Sequence, residues 1–366
     1  MLKEKALEKI DELLTEMPPF IRDFVETKTA DEYSPNTILE YLKNYHQFFS
    51  WLIVSKSIPE KSIVEISAES LDALQMRIAT QYKAYLLSRK KQNSKQINKD
   101  GSPKESTATL SKVTIQRNIT ALKVLFKYLS ESHNNVIGKP YLSHNIMQEI
   151  SNVTERQTLQ ARADLLEDKL FLGNETEEYL NYINDVYPST LSPQAMKYYK
   201  RDRERDLAIN ALMLGSGLRL SEVVNLNVDD ISFEQNRVSV VRKGDKKDSV
   251  RIASFAMEYL ANYLTIRDSR YHPDKYETAF FVSISKGIAK RITGSAIEKM
   301  VEKYSSGFKV RVTPHKLRHT LATRLYKQSG GDLILTAQQL GHSSTLTTNL
   351  YVHVENNTTT DALNSL

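Results

Sequence analysis

The chain has 366 residues, 40% of them hydrophobic and 26% charged, and no cysteine. That is the composition of a soluble globular protein long enough for two domains with real cores, and it excludes disulfides, cysteine nucleophiles and thiolate metal sites. No apolar run approaches the ~20 residues of a membrane span, the opening MLKEKALEKIDELL is too interrupted by charge for a signal peptide, and the net charge of +6 mildly favours a polyanionic partner.

In chain order, Ser34-Pro35-Asn36-Thr37 is a helix-start signal. Ile38, Tyr41, Leu42, Tyr45, Phe49 and Leu52 follow at the spacing of one helix face. Tyr41, Tyr45 and Phe49 read as core. The polar stretch from Ser88 to Thr109, with Asp100-Gly101, reads as a long loop. A second amphipathic helix starts near Ser111 and turns Ile115, Ile119, Leu122, Phe126 and Leu129 inward. Its other face carries Lys112, Thr114, Arg117 and Lys123, which suits either a solvated surface or DNA contact.

Residues 153–171 have few apolar anchors and read as an interdomain linker between domains at 1–152 and 172–366. Gly173-Asn174-Glu175-Thr176 starts a new helix. Asp206 to Leu214 is apolar nearly all round, so that helix should be buried, and Gly215-Ser216-Gly217 ends it. Arg237–Arg242 and Ser249–Ile252 flank Lys243-Gly244-Asp245-Lys246-Lys247 as a β-hairpin. The rest of the second half reads as helical. The fold class expected is mainly α with a small β-sheet.

Three segments carry unusual polar residues. Arg219 opens a helix just after the buried one, with Glu222 three residues on to hold its guanidinium. A local structural ion pair is the plainer account of that pair. His315-Lys316-Leu317-Arg318-His319 lacks the Glu of a zinc helix and sits among Lys and Arg, so an anion suits it better than a dication. From Lys303 to Gly331 there are Lys303, Lys309, Arg311, Lys316, Arg318, Arg324 and Lys327, with no Asp or Glu. The third segment is Leu340-Gly341-His342, followed by Tyr351, which taken alone reads as a packing residue.

Taken together, the order Arg219 … Lys243 … His315-x-x-Arg318 … Gly341-His342 … Tyr351 resembles the catalytic signature of the tyrosine recombinases. Lys243 lies 24 residues after Arg219, and Tyr351 nine after His342. Both spacings resemble the Xer branch of that family. Tyr45-His46-Gln47-Phe48-Phe49-Ser50-Trp51, the long loop before Ser111, Leu170-Phe171-Leu172-Gly173-Asn174-Glu175-Thr176-Glu177 and Phe308-Lys309-Val310-Arg311-Val312-Thr313-Pro314-His315 resemble the variant of that branch that works without a second paralogue.

The resemblance implies a helical, SAM-like core-binding domain followed by an α+β catalytic domain. It implies cleavage and rejoining of double-stranded DNA through a 3′-phosphotyrosyl link, without cofactor, metal or ATP. Tyr351 would be the nucleophile, Arg219, Arg318 and His342 the phosphate ligands, His315 the general base, Lys243 the general acid and Glu222 a support. Lys112, Thr114, Arg117 and Lys316 are candidates for DNA contact. A homo-tetramer on paired sites, a cytoplasmic location, no membrane contact, resolution of chromosome dimers at a dif-like site and an activating cell-division DNA translocase are the expected setting. The C-terminal segment 360–366 would form a short docking helix or fray. Alternatives are a phage or transposon integrase, a type IB topoisomerase, and a DNA-binding regulator with an inactive site. Only about 30 residues precede the Ser34 helix, too few for the extra arm-binding domain of many integrases.

Overall fold

Serine caps set the starts of the helices that frame the structure. Ser34 Oγ accepts the Thr37 N–H at 3.2 Å, Ser111 Oγ accepts that of Thr114 at 3.1 Å, and Ser192 Oγ that of Ala195 at 3.3 Å. Each satisfies a donor that the first helical turn leaves unpaired. The computed structural model describes residues 3–97, 103–132, 138–153, 158–242, 246–342, 348–352 and 354. The chain divides into two units, Met1–Arg156 and Gln157–Leu366.

The first unit contains α1 (Lys3–Leu14), α2 (Pro19–Ala30), α3 (Pro35–Val54), α4 (Ala68–Asp72), α5 (Met76–Ser88) and α6 (Lys112–Glu131). The core is aromatic. Tyr45 and Phe49 are fully buried on α3, as is Phe48, whose ring meets that of Tyr82 at 4.9 Å edge-on. Ile115, Ile119, Leu122, Phe126 and Leu129 of α6 close it from the other side. Gln47 ties the layers by donating to Tyr82 Oη at 3.0 Å and Asn118 Oδ1 at 3.1 Å.

The expected loop from Ser88 to Thr109 instead contains two antiparallel strands, β1 (Lys90–Ile97) and β2 (Pro103–Thr109). The sequence there holds almost no apolar residue, so the period-two alternation that marks a half-buried strand has nothing to register. Asp100-Gly101 lies outside the described residues.

The second unit begins with α7 (Leu159–Glu167) and α8 (Glu175–Asn181). α7 corrects the linker expectation for 153–171. Ala163, Leu166 and Leu170 are buried with Val354, a partner far along the chain that local sequence does not reveal. Next come α9 (Pro193–Ser216), α10 (Leu220–Asn225), β3 (Ile231–Ser232), β4 (Arg237–Val241), β5 (Lys247–Arg251) and α11 (Ser254–Tyr271). Then follow β6 (Val282–Ser285), β7 (Ile288–Arg291), α12 (Gly294–Phe308), α13 (Pro314–Gln328) and α14 (Leu333–Leu340).

α9 is the axis of this unit. Its residues 205–216 are buried, and α11 and α13 pack on it. β4 and β5 pair antiparallel, with Val240 opposite Asp248, and turn Val238, Val240 and Val250 into the core. The pair β6–β7 is a further correction, since the sequence reading made everything after the first hairpin helical; its strands have four residues each, too short for a periodicity signal.

The end of α9 fixes where α10, α13 and α14 can approach one another. Gly217 caps it with φ 69°, the left-handed region that only glycine enters without cost. A Cβ at Gly217 would lie 2.7 Å from Leu321 of α13 and 3.0 Å from Leu340 of α14. Gly217→Ala is therefore expected to destabilise the second unit by about 1–3 kcal/mol. Urea unfolding would measure this, and an unchanged midpoint would contradict it.

Candidate active site

The site grows from the C-terminal end of α14. That helix starts on Asp332, whose carboxylate accepts the Leu335 N–H at 2.9 Å, and stops at Gly341 with φ 60°. Its last carbonyls have no helical N–H to accept, and they carry the negative end of the helix dipole. Guanidinium groups from three other segments fill this role. Arg318 of α13 donates to Leu340 O at 2.6 Å and also to Gly217 O. Arg219, at the start of α10, donates to Gly341 O at 3.1 Å. Arg242, at the end of β4, donates to Leu340 O at 2.7 Å and Gln339 O at 3.3 Å.

The buried Glu222 carboxylate balances part of this charge. It accepts from Arg219 Nη1 at 2.9 Å and from the Arg219 backbone N–H at 2.8 Å. Arg242 Nη1 lies 3.5 Å from the same carboxylate. The sequence-level pairing of Arg219 with Glu222 is thus present in the structure, and the pair belongs to a larger cationic cluster. His315, Arg318 and Arg219 line one cavity of about 510 Å³, together with Thr313, Pro314 and Ser221. Pro314 in the first turn of α13 pre-sets the turn from which His315 and Arg318 project.

Tyr351 lies in a short 3₁₀ turn, Asn349–Val352, and is only 2% exposed. Ala322 and Leu340 pack against it. Its hydroxyl is 2.8 Å from His319 Nδ1, and the His319 ring meets that of His315 edge-on at 4.4 Å. His342 Nδ1 is 3.0 Å from Thr348 Oγ1. Lys243 lies outside the described residues, as do 360–366.

Electrostatics follow from this crowding. Burial and the neighbouring Arg219 lower the Arg318 guanidinium to about 10, still charged at neutral pH. Burial, then the charges of Arg318, Arg219 and Arg242, lowers His342 to about 4. Burial, then His315, Lys316 and Arg318, lowers His319 to about 3. His315 is lowered by desolvation and by Arg318, Lys316 and Arg219. Burial raises Tyr351 to about 12, against the pull of Arg318. At neutral pH the phenol is therefore protonated and His319 neutral, so the phenol donates and Nδ1 accepts. Cations that raise one another's energy are stabilised by an anion, and a phosphodiester fits fork-shaped donors from Arg219 and Arg318.

The sequence reading missed Arg242 and the partnership of Tyr351 with His319. A signal for Arg242 existed. Val238 and Val240 face the core, so alternation puts residue 242 on the same face, where an arginine needs a reason. The basic run from Lys303 is also less bare than it reads. Lys309 meets Glu175 at 2.6 Å, Arg311 meets Glu302 at 2.8 Å, and Lys303 lies 3.8 Å from Asp206. Those of Lys303 and Lys309 come from distant segments, and that of Arg311 lies just before the run. Of the DNA-contact candidates, Lys112 and Arg117 are exposed on α6. The Thr114 hydroxyl is 2.8 Å from that of Ser111. Lys316 is half-buried, its ammonium lowered by desolvation and by Lys169.

With this geometry, comparison with known proteins is specific. A model of the phage integrase family matches residues 190–358. The chain is 44% identical over 366 residues to tyrosine recombinase XerS of Streptococcus mutans serotype c and to that of Streptococcus sanguinis, covering 100% of each sequence. In fold it resembles the crystal structure of XerH site-specific recombinase bound to a palindromic difH substrate, a post-cleavage complex. That match has a TM-score of 0.58 at 23% identity and covers 92% of this chain and 81% of the other. The chain belongs to the tyrosine recombinases of the phage integrase family. Within that family it is a Xer-type site-specific recombinase, an enzyme that cleaves and rejoins DNA.

The depressed histidines predict an acid-sensitive second unit. The unfolded chain takes up these protons near pH 6.5, whereas the folded site resists them down to about 4 for His342 and about 3 for His319. Stability should therefore be complete above pH 6.5 and fall as pH drops through that window. Urea unfolding at a series of pH values should show the slope, and His319→Asn should flatten it. NMR titration of either ring near pH 6.5 in the folded protein would contradict the assignment.

Proposed function

We propose that this recombinase resolves chromosome dimers at a dif-like site so that daughter chromosomes segregate at cell division. It acts in the cytoplasm as a homo-tetramer on two paired duplexes, activated by a cell-division DNA translocase. Identity of 44% to XerS over the full length supports this over a mobile-element integrase.

In the reaction we infer, Tyr351 Oη attacks the scissile phosphorus and the phenolic proton leaves to a histidine. His315 holds the base role, with His319 as the immediate partner of the phenol. Arg219, Arg318 and His342 stabilise the charge that builds on the non-bridging oxygens, where preorganised donors contribute most. Glu222 orients Arg219. The bond from phosphorus to the 5′ oxygen breaks as Lys243 gives that oxygen a proton. The 3′-phosphotyrosyl link keeps the bond energy, so a 5′ hydroxyl from the partner duplex rejoins it without ATP or metal. The convergence of Arg219, Arg318 and His315 on one cavity, with Tyr351 electrostatically coupled to Arg318, carries this reading. Lys112, Thr114, Arg117 and Lys316 would hold phosphates along the duplex.

A suicide DNA nicked beside the cleavage point tests the chemistry. The wild-type chain should become covalently trapped and Tyr351→Phe should not. Arg219→Ala and Arg318→Ala should bind DNA but lose cleavage by about 10²-fold or more. An adduct on Tyr351→Phe would refute the nucleophile. Recombination of a plasmid carrying two candidate chromosomal sites by this protein alone supports the single-recombinase role, and a requirement for a second recombinase overturns it. For the DNA contacts, Arg117→Ala should weaken binding evenly across sequences and reduce the salt slope of log K by about one unit. An unchanged slope would remove Arg117 from the interface.

A further inference from the structure

Arg242 takes no part in the cleavage steps, yet among the described residues it has the most connected side chain around the site. Its Nε donates to Asp248 Oδ2 at 2.6 Å, on the partner strand of its own hairpin. Its two terminal nitrogens reach out of the hairpin to Leu340 O, Gln339 O and the Glu222 carboxylate. The side chain is 9% exposed. It therefore touches the hairpin, the start of α10 and the end of α14 at once.

Several observations argue that this contact is specific. Residue 242 continues the inward face of Val238 and Val240, where an aliphatic side chain would extend the core with no charge to satisfy. The charge is instead satisfied on both sides, by Asp248 and by helix-end carbonyls with a negative dipole. Gly341 makes room for it, since a Cβ there would run into the Arg242 guanidinium. The left-handed φ of 60° at Gly341 also favours glycine, so one residue meets two constraints. The covalent neighbours matter most. Residue 243 follows Arg242 directly, and residue 342 follows Gly341.

We propose that Arg242 is a positioning residue for strand cleavage, a strut that holds the hairpin carrying Lys243 in register with the α14 end carrying His342. A single guanidinium fixes the distance between the two segments because each of its nitrogens is committed. Lysine, with one ammonium on a flexible stem, cannot hold both sides at once. The proposal rests on Lys243 being the general acid.

The test uses the full-length protein and two suicide DNAs, one with an ordinary scissile phosphate and one whose 5′ bridging oxygen is sulfur. A thiolate leaves without a proton, so the sulfur substrate needs no general acid. Lys243→Ala is the control and should regain cleavage on sulfur. Arg242→Ala should cleave the ordinary substrate about 10–100-fold more slowly, since a misplacement near 1 Å costs on that order. On sulfur it should return close to the wild-type rate, with DNA binding unchanged throughout. Arg242→Lys should behave like Arg242→Ala. Asp248→Asn is the second variant, a change of nearly equal size at a side chain that is 40% exposed. It should show a smaller loss with the same recovery.

Wild-type cleavage of the ordinary substrate by Arg242→Lys and Asp248→Asn would overturn the proposal. So would a loss that sulfur leaves unchanged while Lys243→Ala recovers. If Lys243→Ala itself does not recover, the acid assignment fails first and the strut loses its purpose with it.

Discussion

The last carbonyls of α14 are the constraint on which the catalytic unit depends. A helix of eight residues ends at the buried Leu340, and its terminal oxygens need donors. Arg219, Arg242 and Arg318 supply them from α10, β4 and α13. Such bonds do two jobs. They cap a helix that would otherwise leave buried oxygens unsatisfied, and they bring cations from distant parts of the chain into one place. The guanidinium suits this role because it has five donors, so Arg219 and Arg318 can hold carbonyls and still offer N–H groups to an anion.

Crowding cations has a cost that shapes the rest of the site. Glu222 offsets part of it from a buried position, and the histidines respond by losing their protons. Neutral imidazoles can accept, which suits His319 to the phenol of Tyr351. The same burial that protects this contact raises the phenol to about 12, so it is protonated at neutral pH. A phosphate anion against Arg318 and His315 would relieve the charges that depress the histidines. A bound anion and the protonation states of these histidines would thus be coupled through one electrostatic field.

Much of this was legible in the chain. The helix starts at Ser34 and Ser111 follow from capping chemistry, and the buried stretch of α9 from its composition. The hairpin around Lys243 follows from alternation and its glycine. The ordered set of Arg, Lys, His, Arg, His and Tyr resembled one family strongly enough to name it. Other features were not legible, for identifiable reasons. β1 and β2 lack apolar residues to alternate, and β6 and β7 are too short. α7 buries Ala163 and Leu166 against Val354, a residue that local periodicity does not connect to it.

By itself, then, the amino-acid sequence determined the element types where periodicity and caps are strong, the residue types available for chemistry and their order along the chain. Tertiary structure alone decided which donors meet which acceptors. Arg242 with Leu340 and Gln339, Tyr351 with His319, and Lys309 with Glu175 are contacts between segments far apart in sequence. Their partners are backbone carbonyls at a helix end, or side chains brought close by packing around α9. Any residue type exposes a carbonyl, and burial depends on the whole core, so neither leaves a mark in local sequence.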